Sequence, residues 1–361
     1  MHQYSDVSTL AWPRERDACG VGFVADMGGR RSHDVLAYSL QALHNLAHRG
    51  AVSADGKTGD GAGVLTQIPH RLFRRELEAR SIFLERDRDL AVGVFFVAND
   101  APYKKIYALV RDEIARSPLK TLLWRDPPRD DSALGEQALA RRPILRQVLL
   151  GKPEWLSDDG FERQLYVTRK RIEHRLREAG LGRAYIPSFS SRTISYKGLM
   201  VADQLPKFYL DLADPDFDTA IAVFHQRYST NTMPRWSLAQ PFRFLAHNGE
   251  INTLQGNVNF MRAREPMMSS YLWGPEVRDL QPIIEPGGSD SAALDNALEL
   301  LALSGRDLLH SLMMLVPQAY EQDNSISDEL RGFYDYHGTL MEPWDGPAAL
   351  ALTDGRYAVA G

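Results

Sequence analysis

The chain has 361 residues, 44% hydrophobic and 25% charged, with 42 Lys and Arg against 47 Asp and Glu for a net charge of −5. That composition is ordinary for a globular protein, and the length suits one large domain or two average ones. No basic excess points to nucleic acid, and no run approaches the roughly 18–20 apolar residues of a membrane span. A single cysteine, Cys19, excludes an intrachain disulfide and a cysteine-held iron–sulfur cluster within this chain.

The first eighteen residues carry Asp6, Glu15 and Asp17 and lack an apolar core, so they read as neither a secretory signal nor a transit peptide. The expected location is the cytoplasm. A buried strand follows over 20–25, closed by the turn Gly28-Gly29. Leu36, Leu40, Leu43 and Ala47 fall at helical spacing, predicting a helix over 33–48 with Ser32 as its N-cap. Five glycines mark 50–63 as a loop leading into a strand at 64–68. Strands are expected at 90–98, 119–124, 144–150, 194–199, 220–228 and 244–247. Helices are expected at 103–116, 161–177, 254–264, 289–303 and 307–315, and a hairpin over 348–353 and 357–360 turns at Asp354-Gly355. No GxGxxG or Walker loop follows any strand, so a nucleotide-binding α/β reading has no support. The last residue, Gly361, falls within an expected strand, from which the domain is expected to be incomplete at its C-terminal end.

Cys19 opens an apolar strand directly after a polar leader and is followed by Gly20 and Gly22, which leave space beside the sulfur. A lone cysteine beside a strand is otherwise a small buried hydrophobe. Were the Ala18–Cys19 bond cut, the new α-amine, with a reference pKa of about 7.7–8.0, would sit beside the thiol as its base. Arg227 ends a strand, where its guanidinium suits a carboxylate by paired hydrogen bonds or a core acid. Asp290 stands at a helix start, as a cap-region residue or as an anion for a ligand. Asn248-Gly249 reads as a hairpin turn or as two donors for an oxyanion. Arg49 closes the first helix, where the dipole favours a cation. His48, His225 and His247 lack metal-ligand spacing and read as structural hydrogen-bonders. Asp60 either supports a site from behind or serves a turn.

Six segments occur in order: C-G-V-G-F at 19–23, L-A-H-R-G-A at 46–51, G-D-G-A-G at 59–63, H-Q-R-Y-S-T at 225–230, A-H-N-G-E-I-N-T at 246–253 and G-G-S-D-S-A at 287–292. Together with D-G-P-A-A at 345–349 they resemble the class II glutamine amidotransferase domain, most narrowly the N-terminal part of the bacterial glutamate synthase large subunit. The resemblance implies an α+β fold, a four-layer αββα N-terminal-nucleophile sandwich of two antiparallel sheets. It implies a leader over 1–18 and an amidotransferase domain over 19–361. Cys19 would be the nucleophile and Asn248 and Gly249 the oxyanion hole. Arg49, Arg227, Tyr228, Ser229 and Asp290 would bind L-glutamine, with no metal. No cofactor is expected within this chain. FMN, an iron–sulfur cluster and NADPH are implied for a full enzyme, as are the remaining synthase domains and a small NADPH-oxidising subunit as partners. The alternatives are the glutaminase domain of another class II amidotransferase, an unprocessed inactive scaffold, and a nucleophile hydrolase acting on another amide.

Overall fold

The computed structural model describes residues 20–226 and 234–361. The chain begins with β1 (Val21–Ala25), α1 (His33–Asn45), β2 (Ala62–Gln67) and α2 (His70–Glu78). There follow β3 (Leu90–Val97), α3 (Tyr103–Arg116), β4 (Lys120–Arg125), α4 (Glu136–Ala140), β5 (Ile144–Gly151) and α5 (Asp158–Glu178). The middle holds β6 (Ala184–Ser190), β7 (Thr193–Gly198), α6 (Leu205–Phe208), β8 (Ile221–Gln226) and β9 (Leu245–Gly249). The last part is α7 (Leu254–Arg264), α8 (Asp290–Leu303), α9 (Leu308–Leu315), α10 (Asp328–Gly338), β10 (Ala348–Thr353) and β11 (Ala358–Ala360).

Two of the sheets face each other. One has the order β1-β8-β2-β7 and the other β11-β10-β9, and their paired strands run antiparallel. Alternation along each strand decides which side chains enter the space between them. Val21, Leu65 and Val223 meet Ala246 and Ala351 there, in a thin apolar layer. The other face of the first sheet, with Val64, Ile194, Ala222 and Phe224, packs on Leu36 and Leu43 of α1. Leu245, Leu350 and Leu352 pack on Leu294, Ala297 and Leu298 of α8. Helix, sheet, sheet and helix are therefore stacked in the αββα order of the N-terminal-nucleophile sandwich.

A third antiparallel sheet, β4-β5-β3-β6, stands beyond this sandwich and was not foreseen as a separate layer. Every residue of β3 is buried, as its unbroken apolar run requires. One face joins the α1 core through Val92, Val94 and Phe96. The other, with Ala91, Phe95 and Val97, packs on α3 and α5.

Most expected boundaries fall within a few residues, with informative exceptions. α1 stops at Asn45 because the Leu46 N–H is shared between the Ala42 and Leu43 carbonyls, which tightens the chain into a short 3₁₀ turn, Ala47–Arg49. α5 begins earlier than expected because Ser157 caps it, its side chain accepting from the Gly160 N–H at 3.0 Å. α2, α4, β6, α6 and α10 were not anticipated. The expected strand over 220–228 runs to Gln226, its remainder lying outside the described residues.

Candidate active site

β1 and β8 pair with Val21 opposite His225, and the Gln226 N–H donates to the Gly20 carbonyl at 2.6 Å. Residues 20 and 226, sequence neighbours of Cys19 and Arg227, are thereby joined at one end of the sandwich. Cys19, Arg227, Tyr228, Ser229 and Thr230 themselves lie outside the described residues. The expectation that Gly22 clears space for a substrate is corrected. A Cβ at Gly22 would lie 2.7 Å from the Phe224 ring, so this glycine accommodates core packing on the far face of the sheet.

Gly50 follows the turn that carries Arg49 and presses on the same sheet end. A side chain at Gly50 would meet the Gln226 carboxamide at 2.2 Å and Asp60 at 3.3 Å. Three of the six sequence segments, those holding Arg49, Asp60 and Gln226, therefore converge beside Gly20.

Asn248 and Gly249 do not form a hairpin turn; they end β9, opposite Ala349 and Ala348 of β10. Ala246 faces the first sheet, so a period of two directs Asn248 to the same side. Gly249 has φ +136°, and a Cβ there would lie 1.8 Å from the Pro347 carbonyl oxygen, so only glycine fits.

Asp290 is the first residue of α8, behind the N-cap Ser289. One of its oxygens accepts from the Ile251 N–H at 3.0 Å and the other from the Ser291 N–H at 2.7 Å. It thus touches the segment that leaves Gly249, in addition to its place at a helix N-terminus where a negative charge is favoured. Between them lies His247, buried, with Nδ1 2.8 Å from Ser291 Oγ. Burial lowers its pKa below the usual 6.5, with the Asp290 charge opposing, which keeps the imidazole neutral. His48 is exposed, its Nδ1 3.0 Å from the Asn45 carbonyl. Behind Gly287 and Gly288 a cavity of about 740 Å³ is bordered by Arg177, Arg235, Trp236 and Arg243.

Sequence reasoning passed over Gln240, Ser291 and Asp295, all buried against β9. Asp295 is one of three acids in α8, with Asp290 and Glu299, so nothing in the sequence singles it out, and nothing marks Gln240. Among the described residues no group of three or more His, Cys, Asp and Glu is arranged to hold a metal, and no helix is long and apolar enough to cross a membrane.

Over residues 19–361 the chain matches the family described as glutamine amidotransferases class-II. The chain belongs to that family. It is 44% identical over 350 residues to the glutamate synthase [NADPH] large chain of Azospirillum brasilense, covering 96% of this chain and 23% of that protein. Against the large chain of the same name from Bacillus subtilis (strain 168) identity is 44% over 344 residues, 95% of this chain and 22% of that protein. The ferredoxin-dependent glutamate synthase 2 of Synechocystis is 43% identical over 351 residues, 96% of this chain and 22% of that protein. The chain therefore spans under a quarter of the length of these relatives.

Proposed function

We propose that the chain is the glutaminase domain of a glutamate synthase, hydrolysing L-glutamine to L-glutamate and ammonia through Cys19 after residues 1–18 are removed. One observation carries this reading. Gly20, directly after Cys19, is hydrogen-bonded to Gln226, directly before Arg227, at the sheet end facing the strand that carries Asn248 and Gly249. The family match, which begins at residue 19, supports the leader boundary.

The chemistry follows from those groups. The α-amine freed at Cys19 takes the thiol proton, and the thiolate attacks the glutamine amide carbon. The tetrahedral oxyanion is held by the Asn248 side-chain NH₂ and the Gly249 N–H, and ammonia leaves with the proton returned by the amine. Water, deprotonated by the same amine, then cleaves the γ-glutamyl thioester. Arg227 pairs with the substrate carboxylate and Asp290 with its ammonium. Arg49, Tyr228 and Ser229 complete the pocket.

The released ammonia is then used for reductive amination of 2-oxoglutarate on other domains of a longer polypeptide. One cysteine cannot supply the thiolates of an iron–sulfur cluster, so that group and FMN are assigned to those domains. The relatives are named for NADPH and for ferredoxin. NADPH, delivered through a small subunit, is our assignment for this protein in the cytoplasm.

The test is the mass of the native N-terminus together with glutaminase assays of wild type and Cys19→Ser. A mature chain starting at Cys19 whose activity disappears in Cys19→Ser is the expected result. An active chain still beginning at Met1 would overturn the α-amine mechanism, and activity that survives Cys19→Ser would overturn the nucleophile.

A further inference from the structure

Among the described residues β9 is the last strand of its sheet, with no strand paired to one side of its backbone. That side is nevertheless buried: Leu245 and His247 are each at most 2% exposed. Buried main-chain donors and acceptors must find partners; the Leu245 carbonyl accepts from the Phe242 N–H at 2.8 Å, and side chains supply the rest. The Leu245 N–H donates to Asp295 Oδ1 at 3.2 Å, and Asp295 also accepts from the N–H groups of Phe244 at 2.9 Å and Arg243 at 3.3 Å. Two residues on, the Gln240 carboxamide takes both groups of His247. Its Oε1 accepts from the His247 N–H at 2.7 Å, and its Nε2 donates to the His247 carbonyl at 2.9 Å.

Backbone groups along a strand point to alternate sides. Leu245 and His247 face the outer side, so the same alternation sends the next N–H of the series, that of Gly249, outward as well. Gln240 is thus the last fixed partner before the two oxyanion donors. Gly63 of the facing sheet makes room for it, since a Cβ there would stand 2.4 Å from the Gln240 carbonyl oxygen. This gives a physical reason for a glycine at the end of the G-D-G-A-G segment.

We infer that Gln240 is a positioning residue for the oxyanion hole. Acting as a one-residue substitute for a neighbouring strand, it fixes the peptide groups on either side of His247 and so the aim of Asn248 and of the Gly249 N–H. Asp295 clamps the other end of β9. Since an oxyanion exists only after attack, loosening β9 lowers kcat and leaves ground-state binding of glutamine nearly intact. The inference rests on the glutaminase reading above.

The experiment uses the full-length processed protein with Gln240→Ala, and Gln240→Glu, which keeps the shape but loses the donor to the His247 carbonyl. L-Glutamate γ-semialdehyde is the probe, because its aldehyde adds a thiol to give a tetrahedral alkoxide; L-glutamate is the ground-state control. Expected are a fall in kcat of roughly tenfold or more, a KM for glutamine within about threefold of wild type, and a loss of aldehyde affinity matching that in kcat. The Ki of L-glutamate should stay constant. An unchanged kcat, or equal losses of affinity for aldehyde and glutamate, would overturn the inference. If Gln240→Ala does not fold, Gln240→Glu and Asp295→Asn decide by the same ratio. A wild type without glutaminase activity removes the parent reading; an active wild type with indifferent variants removes only this one.

Discussion

Asp290 accepts the backbone N–H of Ile251 at 3.0 Å, so the carboxylate assigned to the substrate's ammonium also holds the chain two residues beyond Gly249. The two roles separate by substitution. Asp290→Asn keeps an oxygen for Ile251 but loses the charge. A charge-assisted hydrogen bond contributes about 1.5–3 kcal/mol, so KM for glutamine should rise roughly 10- to 100-fold with kcat within a few-fold. Asp290→Ala also frees the Ile251 N–H, and kcat should fall too. Steady-state kinetics of both variants check this. A drop confined to kcat in Asp290→Asn would mean that the residue serves the strand and not the substrate.

Gly249 and Gly256 offer opposite outcomes for one substitution. At Gly249 alanine meets φ +136° and a carbonyl oxygen 1.8 Å from its Cβ. Backbone displacement there should cost about 1–3 kcal/mol or more and lower glutaminase kcat by roughly 10²–10³ through the misplaced donor. At Gly256, in the first turn of α7, a Cβ meets nothing within 4 Å, and alanine should stabilise by about 0.4–1 kcal/mol with activity unchanged. Thermal melts and kcat of the two variants are the measurements. Equal Tm values would contradict the strained geometry at Gly249.

How much of this was legible beforehand depended on range. α1, β3, α3, β5 and α8 were readable because apolar spacing and caps such as Ser32 and Ser289 are local signals. α2 was passed over, a nine-residue helix in which four of the residues are Arg or His and three apolar ones, Leu72, Phe73 and Leu77, carry its buried side. β6 holds Pro187, which argues against a strand by propensity, and its pairing with β3 is a long-range fact. For the proposed site, Asn248, Gly249 and Asp290 were put forward through their sequence segments. Asn248-Gly249 taken locally still favoured a turn, because pairing with residues 348 and 349 lies a hundred positions away. Gln240 and Asp295 act on backbone groups, a role that any residue of suitable length and polarity can take, so composition and spacing leave no trace of it.

The buried pair Arg125–Asp211 offers a stability test remote from the site. Arg125 gives two hydrogen bonds to Asp211, at 3.0 and 2.8 Å, and Asp211 also accepts from the Tyr196 hydroxyl at 2.8 Å. Both charges are nearly inaccessible, with side-chain exposures of 5% and 2%. Arg125→Met would leave a buried carboxylate without its partner, and stability should drop by about 3–5 kcal/mol. Adding Asp211→Leu removes the more deeply buried of the two carboxylates that Arg125 pairs with, Glu76 at 2.9 Å being the other, and should recover part of that loss. Urea denaturation of the single and double variants measures it. A double variant no more stable than the single one would mean that the loss comes from packing.

His70 should make stability fall on the acid side of neutrality. It is the first residue of α2, with Nδ1 3.1 Å from the Arg31 guanidinium. Burial first, and then the positive charge of Arg31, lower its pKa from 6.5 to about 4. The folded state therefore resists a proton that the unfolded chain accepts below pH 6.5. The stabilisation is fully present above that pH and is lost as pH falls from 6.5 towards 4, at up to about 1.4 kcal/mol per unit. Between pH 6.5 and 5, above the titration of most carboxylates, the protein should lose up to about 2 kcal/mol. His70→Asn keeps an acceptor for Arg31 without a titratable ring and should make that interval shallower, the remaining slope coming from His247 and His337, whose pKa values burial also lowers. Denaturation at pH 5.0, 5.8 and 6.5 is the measurement, and parallel curves for wild type and variant would rule out His70 as the source.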